Sequence, residues 1–311
     1  MTRYITIDGG TTNTRVTLVC DRVPIETVRI PLGARACIDD QTALQNAIRA
    51  AIATLLSNHG LHETDITRVL ASGMITCEFG LCTLPHLEAP AGVRELHESM
   101  HEVTLNEITS IPFVFIRGVK TVGALEETDM MRGEETELCG LMHEGTCDAL
   151  YVLPGSHSKL IETDHDGRIT HFATMLTGEM IAALSSGTIL KDAIDLSIKE
   201  TDERSLIDGC RYAMEKGISE ALFKVRILKN LFRKTPVEVY SFFLGAILAS
   251  EIEAIIAAPA RRVVIGGKAQ IKHATVVLLR ALSDKAVIVV SDADVDVSSA
   301  LGAIRIFEFQ A

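Results

Sequence analysis

An order of elements that occurs twice narrows the folds open to this chain. In the first half, Tyr4 to Ile7 alternates as a strand does. Arg15 to Cys20 reads as a second strand after the turn DGGTTNT (Asp8 to Thr14), and Glu26 to Ile30 as a third before Pro31. Thr42 to Leu56 then carries apolar residues at helical spacing, after Asp39 and Asp40 and short of Gly60. Val69 to Ala71 reads as a strand, Val93 to Val103 as a helix, Phe113 to Ile116 as a strand and Arg132 to Met142 as a helix. The second half follows the same order. Ala149 to Leu153, Lys159 to Glu162 and Ile169 to Thr174 read as strands, with the turn DHDG (Asp164 to Gly167) before the third. A helical region, Thr177 to Ala257, is expected to break near Gly187, Gly209 and Pro236. Arg262 to Ile265 (strand), Ala269 to Leu282 (helix), Ala286 to Val290 (strand) and Ser298 to Phe309 (helix) complete it.

Two such units imply an α/β protein of two lobes, 1–145 and 146–311, with a cleft between them and a boundary near Gly145. The last helix is a candidate to pack back on the first lobe. A chain of 311 residues, 47% hydrophobic, can bury cores of that size. The net charge of −11 argues against a nonspecific nucleic-acid binder, which needs a basic field. Seven scattered cysteines without CxxC spacing argue against a disulfide framework or a zinc knuckle and fit a reducing cytosol. Met1 to Tyr4 lead straight into a strand, so no signal peptide is expected. Glu251 and Glu253 interrupt the apolar run Phe242 to Ala260, which therefore reads as a buried helix with one wet edge and not as a membrane span.

Four stretches could carry chemistry. In DGGTTNT, Gly9 and Gly10 permit close backbone approach, and Thr11, Thr12 and Asn13 add hydroxyls and an amide, a combination that suits phosphate oxygens. Asp8 could hold a hydrated magnesium ion against them. A plain hairpin turn explains the same residues. LPGSHSK (Leu153 to Lys159) occupies the matching place in the second half, with Gly155, Ser156, His157 and Ser158 in a polar turn and a cation at Lys159. It has neither the Walker A nor the nucleophile-elbow spacing. In MMRGEETELCG (Met130 to Gly140), Glu134 and Glu135 fall in the first turn of a helix, where carboxylates are favoured anyway; either could act as a general base. In VVIGGKAQ (Val263 to Gln270), Gly266 and Gly267 could let a flat ring lie on the backbone, or serve packing alone.

IDGGTTNT, LPGSHSK and VIGGKAQ resemble the two phosphate motifs and the adenosine motif of the actin-like ATPase superfamily, which includes sugar kinases. More narrowly, ASGMI (Ala71 to Ile75), MRGEETELCGL (Met131 to Leu141), LPGSHSKLI and MLTGEM (Met175 to Met180) resemble the 2-dehydro-3-deoxygalactonokinase family. The resemblance implies two ribonuclease H-like lobes, each a mixed five-stranded sheet with helices. It implies ATP, magnesium, and phosphorylation of the terminal (6-) hydroxyl of 2-dehydro-3-deoxy-D-galactonate in galactonate catabolism. Many sugar kinases of the superfamily carry a catalytic Asp in or beside the second phosphate motif. This chain has none there, so the resemblance turns attention to Glu134 and Glu135, with Asp8 on the metal. Arg132, Lys159, Arg117 and Arg94, in that order, are the candidate cations for a substrate carboxylate. The competing readings are another sugar or sugar-acid kinase, a polyphosphate or nucleotide phosphatase of the same fold, and a non-enzymatic member. The expected setting is cytoplasmic, with a small sugar-acid substrate, no nucleic acid, no membrane, and the apolar C-terminal half as a candidate homodimer surface.

Overall fold

A computed structural model describes residues 2–38, 41–143, 146–267 and 269–310. The chain divides into two compact units. The first comprises 1–147, 163–171 and 293–311, and the second 148–162 and 172–292. The expected boundary at Gly145 lies outside the described residues.

The first unit is built on β1 (Arg3–Gly9), β2 (Thr14–Cys20), β3 (Val23–Ile30), α1 (Gln41–Asn58), β4 (Arg68–Gly73), β5 (Leu87–Glu88), α2 (Val93–Glu98), β6 (His101–Val103), β7 (Phe113–Phe115), β8 (Val119–Thr121), β9 (Asp129–Met131) and α3 (Glu134–Leu141). Its main sheet has the order β3-β2-β1-β4-β7-β6, so it has six strands where five were expected. The extra one is β6, at the end of a stretch that reads as a single helix. Val93, Leu96, Met100 and Val103 do recur at near-helical intervals. The helix nevertheless stops at Glu98, and His101 to Val103 pair antiparallel with Phe113 to Phe115. A separate three-stranded sheet, β5-β8-β9, went unpredicted because runs of two or three residues are too short to show alternation. β1 pairs antiparallel with β2 and parallel with β4. It is covered on both faces. Ile5 and Ile7, with Val16, Leu18, Val69, Ala71, Phe113 and Phe115, form a core with Leu44, Ile48, Ile52 and Leu55 of α1, which recur at helical spacing. On the other face Tyr4 meets Phe307 edge-on at 5.6 Å and donates its hydroxyl to Glu308.

The second unit holds the five-stranded sheet β12-β11-β10-β13-β14, formed by β10 (Leu150–Leu153), β11 (Ser158–Thr163), β12 (Ile169–Met175), β13 (Arg262–Ile265) and β14 (Ala286–Val289). Its helices are α4 (Thr177–Gly187), α5 (Glu203–Lys216), α6 (Ile218–Asn230), α7 (Pro236–Ala257) and α8 (Ala269–Leu282); α9 (Asp292–Phe307) closes the chain. Breaks fall as expected at Gly187 and Pro236, where Thr235 and Glu238 form a reciprocal capping box. The break expected at Gly209 falls at Gly217, whose φ of 85° ends α5 and starts α6. Gly209 instead lies inside α5 at its crossing with α7. A Cβ there would lie 2.1 Å from the Phe242 carbonyl oxygen, and one at Gly245 would lie 2.0 Å from that of Leu206. α9 begins at Asp292, not Ser298; its first turns carry Asp292, Asp294 and Asp296, acids that resemble a loop yet suit a helix start. α7 is long and apolar enough to cross a membrane by length and composition, but it is the core helix of this unit. Glu253 is its wet edge; Glu251 is buried. None of the seven cysteines forms a disulfide.

Candidate active site

In the first unit three chain segments converge on Asp8. Asp8 stands opposite Arg15 in the β1–β2 ladder, and Arg15 donates from Nε (3.0 Å) and NH2 (2.5 Å) to Asp8 Oδ2. Asp8 Oδ1 faces two glycines. A Cβ on Gly73, at the end of β4, would lie 2.4 Å from the Gly9 carbonyl oxygen and 3.4 Å from Oδ1. A Cβ on Gly133, just before α3, would lie 3.2 Å from the Gly73 Cα and 3.8 Å from Oδ1. Both glycines have positive φ, 85° and 104°, a region side chains disfavour. This is the physical reason for Gly in ASGMI and in MRGEET, and pattern reading alone missed it.

The turn after Asp8 is braced from outside. Gly10 N–H bonds the Asn13 carbonyl at 2.8 Å, and the Gly10 and Thr11 carbonyls accept from Ala34 and Arg35. Thr11, Thr12 and Asn13 stand exposed at its tip. Asp8 keeps Oδ1 outside the Arg15 pair, so its donor set fits a hard cation through that oxygen.

The glutamate pair divides by burial. Glu135 is wholly buried; both its carboxylate oxygens accept Gly133 N–H, at 2.8 and 2.9 Å, and Oε1 also accepts the Thr136 hydroxyl. Burial, then the charge of Glu134, pushes its carboxyl up to about 8. Glu134 is half-buried and accepts the Arg132 N–H at 3.1 Å.

Arg132 lies half-buried beside them. It donates to the Thr76 hydroxyl (2.8 Å), the Leu84 carbonyl (2.8 Å) and His86 Nδ1 (3.4 Å). Burial, then the charges of Arg132 and Lys120, pushes His86 down to about 4, so it is neutral, accepts at Nδ1 and carries its proton on Nε2. These three acceptors of the guanidinium are therefore all uncharged. Burial also lowers the pKa of Arg132 itself. The other predicted cations are placed differently. Lys159 is buried on β11, with Nζ 3.5 Å from the His157 carbonyl. Arg117 is half-buried with its Nε enclosed and unbonded among the described residues. Arg94 lines a cavity of about 800 Å³ with Arg22, Arg168 and Arg305, and neither Asp8 nor Arg132 lines it.

In the second unit, the Gly155 to Ser158 turn is held on several sides. Gly178 N–H donates to the Gly155 and Ser156 carbonyls at 3.2 and 3.1 Å, and a Cβ on Gly178 would lie 2.6 Å from the former oxygen. Gly267, with φ of 70°, packs on Pro154; a Cβ there would lie 2.6 Å from its Cδ. Gly266 N–H bonds the Val152 carbonyl. Packing thus accounts for Gly267, whatever else it does. Ser156 and His157 are exposed, and His157 pairs with Glu179 at 2.9 Å. Ser158 is buried and accepts Gly155 N–H at 3.3 Å. Gly155 differs from its neighbours. Its φ is outside the left-handed region, and a Cβ there would meet nothing within 4 Å. Protein packing therefore leaves this glycine unexplained.

The family model described as 2-keto-3-deoxy-galactonokinase matches residues 8–300. The 2-dehydro-3-deoxygalactonokinase of Escherichia coli K12 is 27% identical over 255 residues, covering 80% of this chain and 79% of that protein. A solved structure from Sinorhizobium meliloti, provisionally named for the same kinase, superposes with a TM-score of 0.80 at 20% identity, over 99% of this chain and 98% of the other. Component A of the (R)-2-hydroxyglutaryl-CoA dehydratase of Acidaminococcus fermentans shares the fold, with a TM-score of 0.54 at 12% identity over 98% and 97% of the two chains.

Proposed function

The chain belongs to the 2-keto-3-deoxy-galactonokinase family, and we propose that the residues above carry an ATP-dependent transfer to the terminal (6-) hydroxyl of 2-dehydro-3-deoxy-D-galactonate, in the cytoplasm and in galactonate catabolism. Phosphoryl transfer asks the protein mainly to position groups and stabilise charge. The Gly9 to Asn13 and Gly155 to Ser158 turns take the phosphates of ATP through backbone N–H groups and hydroxyls. Gly266 and Gly267 line the adenosine side. Asp8 would hold magnesium, which when bound neutralises charge on the transferring phosphates.

Glu134 is the base. It is the less buried of the pair, whereas a carboxyl held up to about 8 carries a proton at neutral pH and is a poor proton acceptor there. Glu134 accepts the proton of the sugar hydroxyl as that oxygen attacks the γ-phosphorus; the bond to the bridging oxygen breaks and ADP leaves. Glu135 fixes Gly133 and the start of α3 from behind. Arg132 binds the substrate carboxylate.

Arg132 is the observation that carries the sugar-acid reading. A half-buried guanidinium held by three neutral acceptors, two residues before the base, suits an anionic substrate. A coupled ADP-release assay across 2-keto-3-deoxy sugar acids and neutral sugars, with and without magnesium, tests it. Turnover with acids alone is expected. Turnover restricted to neutral sugars would overturn the substrate class, and phosphate release without an acceptor would favour a phosphatase.

A further inference from the structure

Glu251 lies in the core helix α7 and is 2% exposed. Its Oε2 accepts the Thr177 hydroxyl at 2.6 Å, and the Ser158 side chain also bonds the carboxyl. Its Oε1 is enclosed without a hydrogen-bond partner among the described residues. Burial raises its pKa, against the opposing effect of the Thr177 and Ser158 hydroxyls. A carboxyl in such a place is a poor device for stability, since burying a polar group with an unmet oxygen is costly and an apolar side chain would serve the core better.

What the carboxyl reaches is the phosphate turn, by two routes. Ser158, one bond away, accepts Gly155 N–H. Thr177, also one bond away, opens α4, whose next residue, Gly178, holds the Gly155 and Ser156 carbonyls. The exposed half of the turn, Ser156 and His157, is thus tied at both ends to one buried side chain.

We propose that Glu251 is a positioning residue of the kinase, which from beneath the Gly155–Ser158 turn holds its backbone N–H groups where a nucleotide phosphate meets them. This rests on the reading of the turn as a phosphate site. The positioning needs hydrogen-bonding atoms, not a charge, so Glu251→Gln retains it and Glu251→Leu does not.

Four variants test this in the full chain: Glu251→Gln, Glu251→Leu, Thr177→Val and Gly155→Val, each measured for ATP KM, sugar-acid KM, kcat and melting temperature. Glu251→Leu and Thr177→Val are expected to raise ATP KM about tenfold or more with sugar-acid KM unchanged, while Glu251→Gln stays within about threefold of the parent. Where Glu251→Leu does not fold, Thr177→Val carries the test. Parental ATP KM in a folded Glu251→Leu protein, or in Thr177→Val, overturns the proposal. So does a Glu251→Gln protein as impaired as Glu251→Leu, which would place the effect in packing. Gly155→Val separates the two readings, because a Cβ at that position meets nothing within 4 Å. If it leaves ATP KM unchanged, the phosphate-turn reading fails. If it raises ATP KM while Glu251→Leu and Thr177→Val do not, only the Glu251 proposal fails.

Discussion

Gly178 and Gly155 are locked together by backbone alone: the Gly178 N–H donates to the Gly155 carbonyl at 3.2 Å, and a Cβ on Gly178 would sit 2.6 Å from that oxygen. An alanine at 178 improves intrinsic helix propensity by roughly 1 kcal/mol, yet it must push the turn away. Gly178→Ala is therefore expected to raise ATP KM at least about tenfold, read by steady-state kinetics. Gly209→Ala is the control. Its Cβ meets Phe242 at 2.1 Å in a helix crossing, so overpacking of about 1–3 kcal/mol should lower the melting temperature and leave ATP KM alone.

The two glutamates should separate kinetically. Glu134→Gln removes the proposed base and is expected to lower kcat by roughly 10²–10⁴-fold while ATP still binds, measured by titration calorimetry. Glu135→Gln keeps an acceptor for Gly133 N–H and should cost less than about tenfold in kcat. Equal loss in both would return the base role to the pair, and a larger loss at Glu135 would reverse the assignment.

Glu135 also sets a pH dependence of stability. Its folded pKa is raised from 4.5 to about 8, so between those values the folded state keeps a proton that the unfolded chain releases, and stability falls as pH rises. His86 acts in the opposite sense. Its pKa is lowered from 6.5 to about 4, so between those values the unfolded chain binds the extra proton and stability rises with pH. The two oppose each other up to pH 6.5, and above that Glu135 acts without His86. Glu251, also raised, adds to the fall. Denaturant unfolding should show a loss on the order of 2 kcal/mol from Glu135 between pH 6.5 and 8, and Glu135→Gln should flatten that part of the curve.

Much of this architecture was legible in the sequence because it rests on periodicity and on punctuation. α1 and α8 carry clear helical spacing, and Thr235-Pro236 marks the start of α7. The remainder depends on what meets what in space. Gly209 reads as a breaker in isolation, but α7 packing against it keeps it helical. Glu251 interrupts an apolar run and so reads as a wet edge, whereas only its contacts with Thr177 and Ser158 explain a buried acid. In the site, the two turns proposed to take phosphates were visible as small polar stretches. The roles of Gly73 and Gly133 were not, since both follow from three segments meeting at Asp8.

Arg132 offers the sharpest test of substrate class. Its three acceptors hold the guanidinium without supplying a charge, so a bound carboxylate would be the first anion in its hydrogen-bond set. A charge-assisted bond contributes about 1.5–3 kcal/mol, so Arg132→Ala should raise the sugar-acid KM by roughly 10–100-fold. Arg132→Lys keeps the charge but loses the fork that bonds Thr76 and Leu84 together, and should recover only part of that loss. The decisive comparison is the methyl ester of the same sugar acid, which lacks the charge. If Arg132 binds the carboxylate, parent and Arg132→Ala should use the ester with similar KM. An equal penalty on acid and ester would mean that Arg132 serves only to brace Thr76 and Leu84.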